Sequence, residues 1–151
     1  MKISIFREFN PALARLWSAI DPHSDHHVFQ CYEWLAKWQE TVGVHVESIK
    51  PWIAVLSDEN GLPKAIFPFG VAWKLGARVL MFLGAGKNDY QGPLIHHDWI
   101  RDSSRLKEGW QLLCNQLPGH DVRHFQNLPG AWGAADTPVL GLVDASFHAK
   151  S

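Results

Sequence analysis

Three groups of side chains have the types and spacing to support chemistry. The first is Gly84-Ala85-Gly86-Lys87-Asn88-Asp89-Tyr90, which follows the apolar run 79–83 and leads through Gln91-Gly92-Pro93 into Leu94 and Ile95. Glycines at 84 and 86 admit backbone angles closed to other residues, and the lysine behind them evokes a phosphate cradle. A Walker loop needs Ser or Thr directly after its lysine and a helix that opens at once. Here Lys87 precedes Asn88, and the next expected helix starts well downstream. Without a helix N-terminus at the loop, the argument for anion binding loses its force. Asp89 and Tyr90 are better candidates: a carboxylate that accepts backbone N–H groups, and an amphipathic ring ending in a hydroxyl. Asn88, Asp89 and Tyr90 are therefore substrate-contact candidates, set against the plainer reading of a loop that caps itself and tucks the ring inward. A general-base role for Asp89 requires an environment that perturbs it, and no catalytic residue is assigned.

The second group is the histidine pairs His26-His27 and His96-His97. They invite a zinc reading, but neither belongs to a compact ligand motif such as His-Glu-x-x-His. The two pairs can meet only through tertiary structure, so solvated loop histidines are the simpler account and no metal is expected. The third group is the thiols and hydroxyls. Cys31 lies near His27 and Glu33, and Ser103-Ser104 precedes a helical stretch, yet neither has a nucleophile elbow around it. Only Cys31 and Cys114 are present, too few for a disulfide framework.

These residues must be positioned by one domain. A chain of 151 residues with 46% apolar residues is long enough to bury a core. Its formal charge of -1 comes without a basic run, so no nucleic-acid footprint is expected. No apolar stretch approaches bilayer length, and the start lacks a signal-peptide hydrophobic region; the cytoplasm is the expected compartment.

Alternation at Ile3 and Ile5 predicts a short opening strand. Asn10-Pro11 then reads as N-cap and first helical residue, with Leu13, Leu16, Trp17 and Ile20 as an apolar stripe. A second helix is expected over 32–41, burying Trp34, Leu35, Trp38 and Val42, with Gly43 as the stop. Residues 52–56 read as a strand, 58–61 as a turn and 62–69 as the returning strand. Pro63 and Pro68 make that strand an expected edge or bulged member. Val71, Trp73 and Leu75 alternate before Gly76 reverses the chain into 78–83, completing a three-stranded meander. Leu94-Ile95 is a possible short strand, and His96-His97-Asp98 is expected to be polar loop. Leu106, Trp110, Leu113 and Leu117 mark a third helix capped by Asp102 or Ser103. Residues 122–126 are expected as a strand, 131–136 as a linker and 137–143 as a last strand. The whole predicts an α/β domain with a mainly antiparallel sheet flanked by helices.

Several of these segments resemble one family. His27-Val28-Phe29-Gln30-Cys31-Tyr32-Glu33-Trp34-Leu35 resembles the Phe-Gln and Trp-Leu signature near the start of GNAT-like (acyl-CoA N-acyltransferase-like) proteins. The group in question is associated with cellulose biosynthesis and is related to the Fem-type peptidyltransferases of peptidoglycan. Phe82-Leu83-Gly84 with Asn88-Asp89-Tyr90 and Gly92-Pro93-Leu94 is similar to its mid-domain loop. The segments 121–129 and 138–142 are similar to its strand-then-Leu-Pro segment and to the strand that follows.

The resemblance implies a GNAT-like N-terminal domain over 1–151, with 144–151 as a truncated tail or linker and the second, catalytic half absent. It implies an accessory, acceptor-side role in moving an acyl group onto an amine or hydroxyl, with the chain inactive alone. Phe29 and Trp34 join Asn88, Asp89 and Tyr90 as candidate acceptor contacts. The family's acyl-CoA cradle has no counterpart between a strand and a helix here, so no cofactor is expected in this chain, and acyl-CoA is expected only for a full-length or partnered form. Whether the chain is an enzyme by itself is left open. The alternative is a non-catalytic binding or pseudoenzyme domain. Expected partners are a second GNAT-like domain, or another copy paired through an exposed sheet edge near 139–143.

Overall fold

The computed structural model describes residues 1–46, 48–84, 91–126 and 128, with the backbone of 131–132 and 135–136. The candidates Asn88, Asp89 and Tyr90, the neighbouring Lys87, and the expected strand and edge at 137–143 lie outside the described residues.

β1 (Lys2–Phe6) is followed by α1 (Pro11–Ile20), whose N-cap Asn10 accepts from Leu13 N at 2.9 Å, as its sequence predicts. α2 (Tyr32–Trp38) passes into a π-helical turn at Gln39–Gly43 in place of the glycine stop expected there. The Gln39 side chain occupies the space where a Cβ on Gly43 would sit, 2.2 Å from Oε1, while its Nε2 donates to Ile49 O at 2.8 Å. A π turn widens the helix enough to admit a side chain against its own backbone.

β2 (Lys50–Ser57), β3 (Pro63–Lys74) and β4 (Ala77–Phe82) form the antiparallel meander, with β1 on the outer edge of β2. Asp58 Oδ1 closes the first turn by accepting from Asn60 N and Leu62 N. Leu75 and Gly76, with φ of 52° and 78°, make the second. After β5 (Leu94–Ile95) come α3 (His97–Arg101) and α4 (Ser103–Cys114). β6 (Val122–Arg123) then joins β4 in parallel, giving the order β1-β2-β3-β4-β6 with β5 paired to β3. β7 (Ala131–Trp132) and β8 (Ala135–Asp136) form a small separate hairpin where a linker was expected. The architecture is α/β, with a mostly antiparallel open sheet.

Helices cover both faces of this sheet, which is why its strands read as nearly continuous apolar runs. Trp52, Ala54, Leu56, Phe67, Phe69, Leu80 and Phe82 point towards Trp99, Leu106, Trp110 and Leu113 of α3 and α4. Ile53, Val55, Ile66, Val79 and Met81 point towards Leu13, Trp17, Leu35 and Trp38 of α1 and α2. Successive strand residues alternate between the two cores.

Two expectations are corrected. β3 is the central strand, paired on both sides, and not an edge, while the bulged alternative holds at its start, where the ladder with β2 shifts register. Pro63 is its first residue and lies at a register shift opposite Ser57. Pro68 lies where the partner on one edge changes: Ile66 pairs with Leu94, Phe69 pairs with Phe82, and Pro68 O accepts from Leu83 N at 2.8 Å. The ring nitrogen has no hydrogen to return the second bond of that pair, so the ladder gives up one bond where β4 takes over from β5. The second correction is Trp34, which is 39% exposed rather than part of the buried face of α2. Leu35, Trp38 and Gln39 set that face, and at about 100° per residue Trp34 falls on its flank.

Candidate functional site

The candidate loop leaves and rejoins the sheet at that change of partner on β3. Its described ends are closely held. Leu83, Gly84, Gln91, Gly92 and Pro93 are all buried, and Gln91 Nε2 donates to Gly84 O at 3.5 Å, drawing the two ends together. Gly84 and Gly92 have φ of 86° and 138°, values that disfavour any side chain. Among the described residues, buried Gln91 Oε1 has no hydrogen-bond partner.

A second segment is fastened to the same base. Gln30, 1% exposed, donates from Nε2 to Pro93 O at 3.2 Å and accepts at Oε1 from His27 N at 2.9 Å. One buried amide thus joins the Val28–Gln30 turn to the Gly92-Pro93 segment. Phe29 and Trp34 pack edge to face beside it, with ring centroids 5.4 Å apart. Phe29 is half-buried and Trp34 exposed, so the pair presents an aromatic surface.

On its far side, β4 pairs with β6 only briefly. Asp121 N donates to Arg78 O at 2.8 Å and His124 N to Leu80 O at 2.9 Å. The register turns the N–H and C=O of Phe82 to the same side, and among the described residues no ladder bond reaches them. Phe125 covers the gap, with its ring 4.9 Å from Phe82 and 5.6 Å from Phe69. Phe82 is fully buried.

It is the residues just before His26-His27 that meet His96-His97, through tertiary structure. Ser24 and His96 form an isolated β-bridge, and the His23 and His96 rings stack at 5.1 Å. His97 Nε2 lies 3.4 Å from Asp25, and His26 Nε2 lies 2.9 Å from Asp21. His96-His97-Asp98, expected as loop, instead opens α3: His96 Nδ1 accepts from Asp98 N at 3.1 Å as the N-cap. Burial, followed by the nearby Lys64 ammonium, holds the His96 pKa below the ordinary histidine range, partly opposed by Asp98. Lys64 Nζ donates to Asp98 at 2.9 Å and keeps that carboxyl below the usual carboxylate range. Despite this density, no group of three or more His, Cys, Asp or Glu side chains among the described residues could hold a metal ion.

Two clefts adjoin Tyr32 on the other side of α2. One, of about 430 Å³, is lined by residues including Arg7, Phe9, Gln39 and Pro51. The other, of about 130 Å³, lies between Trp17, Asp21 and Glu33. Neither is lined by Phe29 or Trp34. Both cysteines are free, Cys31 at the α2 N-cap and Cys114 ending α4. Burial raises the Cys114 thiol pKa, opposed by Arg123, so that thiol is a poor nucleophile. No helix among the described residues is long and apolar enough to cross a membrane.

Gln30, Gln91 and Lys64 were missed from sequence. The available signal was position: the glutamines sit inside the two segments quoted for the family resemblance, one of them beside Gly92-Pro93. No family model, curated protein or solved structure matches the chain.

Proposed function

We propose that this chain is the acceptor-side, accessory half of a GNAT-like acyltransferase, contributing acceptor contacts to a transfer onto an amine or hydroxyl and inactive alone. The observation that carries this reading is the closed end of β4. Phe82, Leu83 and Gly84 are buried, Gln91 holds the loop's two described ends together, and the chain returns to β3 before the next described helix, α3, begins. That helix is only five residues long and starts beyond β5, so it offers no long dipole directed at the strand end. An acyl-CoA carries its negative charge on phosphates, which bind best at such a helix N-terminus. Donor binding is thus assigned to a second GNAT-like domain, and Phe29 and Trp34 supply a surface on which an acceptor ring or chain can lie.

A panel of amino sugars, amino acid amides and oligosaccharides, followed by ligand-observed NMR, tests the acceptor role. The expected result is saturation transfer to one class, lost in Trp34→Ala, with none to acetyl-CoA. Equal transfer in Trp34→Ala would contradict the assignment.

A specific feature favours the second reading, a non-catalytic domain that binds a protein partner. Trp73 is 71% exposed and Leu75 fully exposed at the tip of the β3–β4 hairpin, and protein interfaces are enriched in such aromatic anchors. A partner whose binding depends on Trp73 while acceptors show no transfer selects that reading.

A further inference from the structure

The contact between the 21–30 segment and the start of α3 has an unusual density of titratable groups. The segment supplies Asp21, His23, Asp25, His26 and His27. The facing corner supplies His96, His97 and Asp98, backed by Lys64 from β3, with Asp58 4.0 Å from that ammonium and Arg101 3.9 Å from Asp98. We propose that this contact is a pH-operated latch, closed when His96 is neutral and released when the pH falls through the histidine range, freeing the Val28–Gln30 turn from the base of the glycine loop.

The closed state requires a neutral His96. Its Nδ1 accepts the Asp98 N–H that begins α3, and a protonated Nδ1 has no lone pair to do so. Its ring lies on His23 at 5.1 Å, so charging both rings places like charges face to face. The Lys64 ammonium adds a third positive charge beside them. Among the described residues the acceptor for a proton on Nδ1 is Asp98 Oδ2 at 3.5 Å, and that oxygen already accepts from Lys64 at 2.9 Å.

Two pairs respond in the opposite sense. His26–Asp21 lies wholly within the segment, so charging it stiffens the segment without holding it to the corner. His97–Asp25 does span the contact, but its side chains are 37% and 51% exposed at 3.4 Å, and exposed pairs of this kind are weak and screened by salt. His96, with a side chain 15% exposed, is the more strongly desolvated group, so release prevails. The sign is explicit: a histidine whose pKa is lowered in the closed form binds its proton more readily in the open form. Closure is therefore complete above the ordinary histidine range of about 6.5 and weakens as pH falls below it.

Amide hydrogen exchange at pH 7.5 and 5.5, corrected for intrinsic rates and referenced to the core amides of β2 and β3, tests this in the intact chain. Protection over residues 24–31 should fall on the order of tenfold per unit of linked pKa difference, while the reference amides hold. His96→Asn keeps an N-capping side chain that does not titrate and should abolish the fall. His23→Phe, at an exposed position, keeps a ring on His96 without its charge and should reduce it. An unchanged fall in His96→Asn, or no fall in the unmodified chain, overturns the proposal. If His96→Asn fails to fold by circular dichroism, His23→Phe decides by the same criterion.

Discussion

Gln30→Ala is the perturbation whose consequence can be worked most fully. The substitution removes two hydrogen bonds, Nε2 to Pro93 O at 3.2 Å and His27 N to Oε1 at 2.9 Å. Each is worth about 0.5–1.5 kcal/mol net, and an acceptor left buried without a partner costs about 1–3 kcal/mol. The two losses differ. His27 is exposed, so water can replace the lost acceptor, whereas Pro93 is buried and its carbonyl loses the donor it has among the described residues. The sum is about 2–4 kcal/mol, a large share of the stability of a single domain. Urea unfolding followed by tryptophan fluorescence measures it, and exchange at residues 91–93 localises it. Gln30→Met fills the same volume but donates nothing, and should recover only the packing part. A loss below about 0.5 kcal/mol in Gln30→Ala, or full recovery in Gln30→Met, refutes the view that this amide fastens the two segments.

Other consequences follow from single positions. A Cβ on Gly70 would fall 2.4 Å from Ile49 Cγ2 and 2.7 Å from Leu83 Cδ2, so Gly70→Ala should cost about 1–3 kcal/mol in the same urea assay and loosen the base of the loop. Leu75 holds φ of 52° in a two-residue hairpin turn while fully exposed; Leu75→Asn suits the type I′ turn and should raise stability by about 0.5–1 kcal/mol, seen as a higher Tm. Glu59 accepts from Arg105 at 2.6 Å, and that hydrogen bond lowers its pKa to about 2. Because the shift is downward, the contribution of this pair is present above the ordinary carboxylate range and is lost as pH falls through about 2. Carboxyl-detected NMR should find Glu59 titrating there, and at a higher pH in Arg105→Ala.

Local signals were legible in the sequence wherever one residue decides the outcome. The Asn10 cap, the Asp58 turn, the Gly76 reversal and the Leu106–Trp110–Leu113 stripe all stand where their chemistry places them, although Leu75, expected to continue the strand alternation, belongs to the turn. What escaped depends on partners distant in the chain. Proline usually marks an edge, but Pro68 sits in the central strand because β3 exchanges β5 for β4 there, which no local pattern records. Trp34 shares a helix with buried tryptophan and leucine, but lies on the flank of the face that Leu35, Trp38 and Gln39 bury. The meeting of His23 with His96 joins segments far apart in sequence. Gln30 and Gln91 read as ordinary polar residues until burial shows what they fasten. The fold class was therefore readable from periodicity and turns. The supports of the candidate site were not.

The central claim is that this chain holds acceptor contacts and leaves the acyl donor to another domain. Calorimetric titration of the chain with acetyl-CoA and a longer acyl-CoA, each with and without the acceptor class identified by NMR, tests it most directly. The account predicts no saturable heat from either acyl-CoA and no acyl transfer in the recovered mixtures. Saturable micromolar binding of an acyl-CoA accompanied by transfer to the acceptor would contradict it, and would show that the closed end of β4 opens to take a donor.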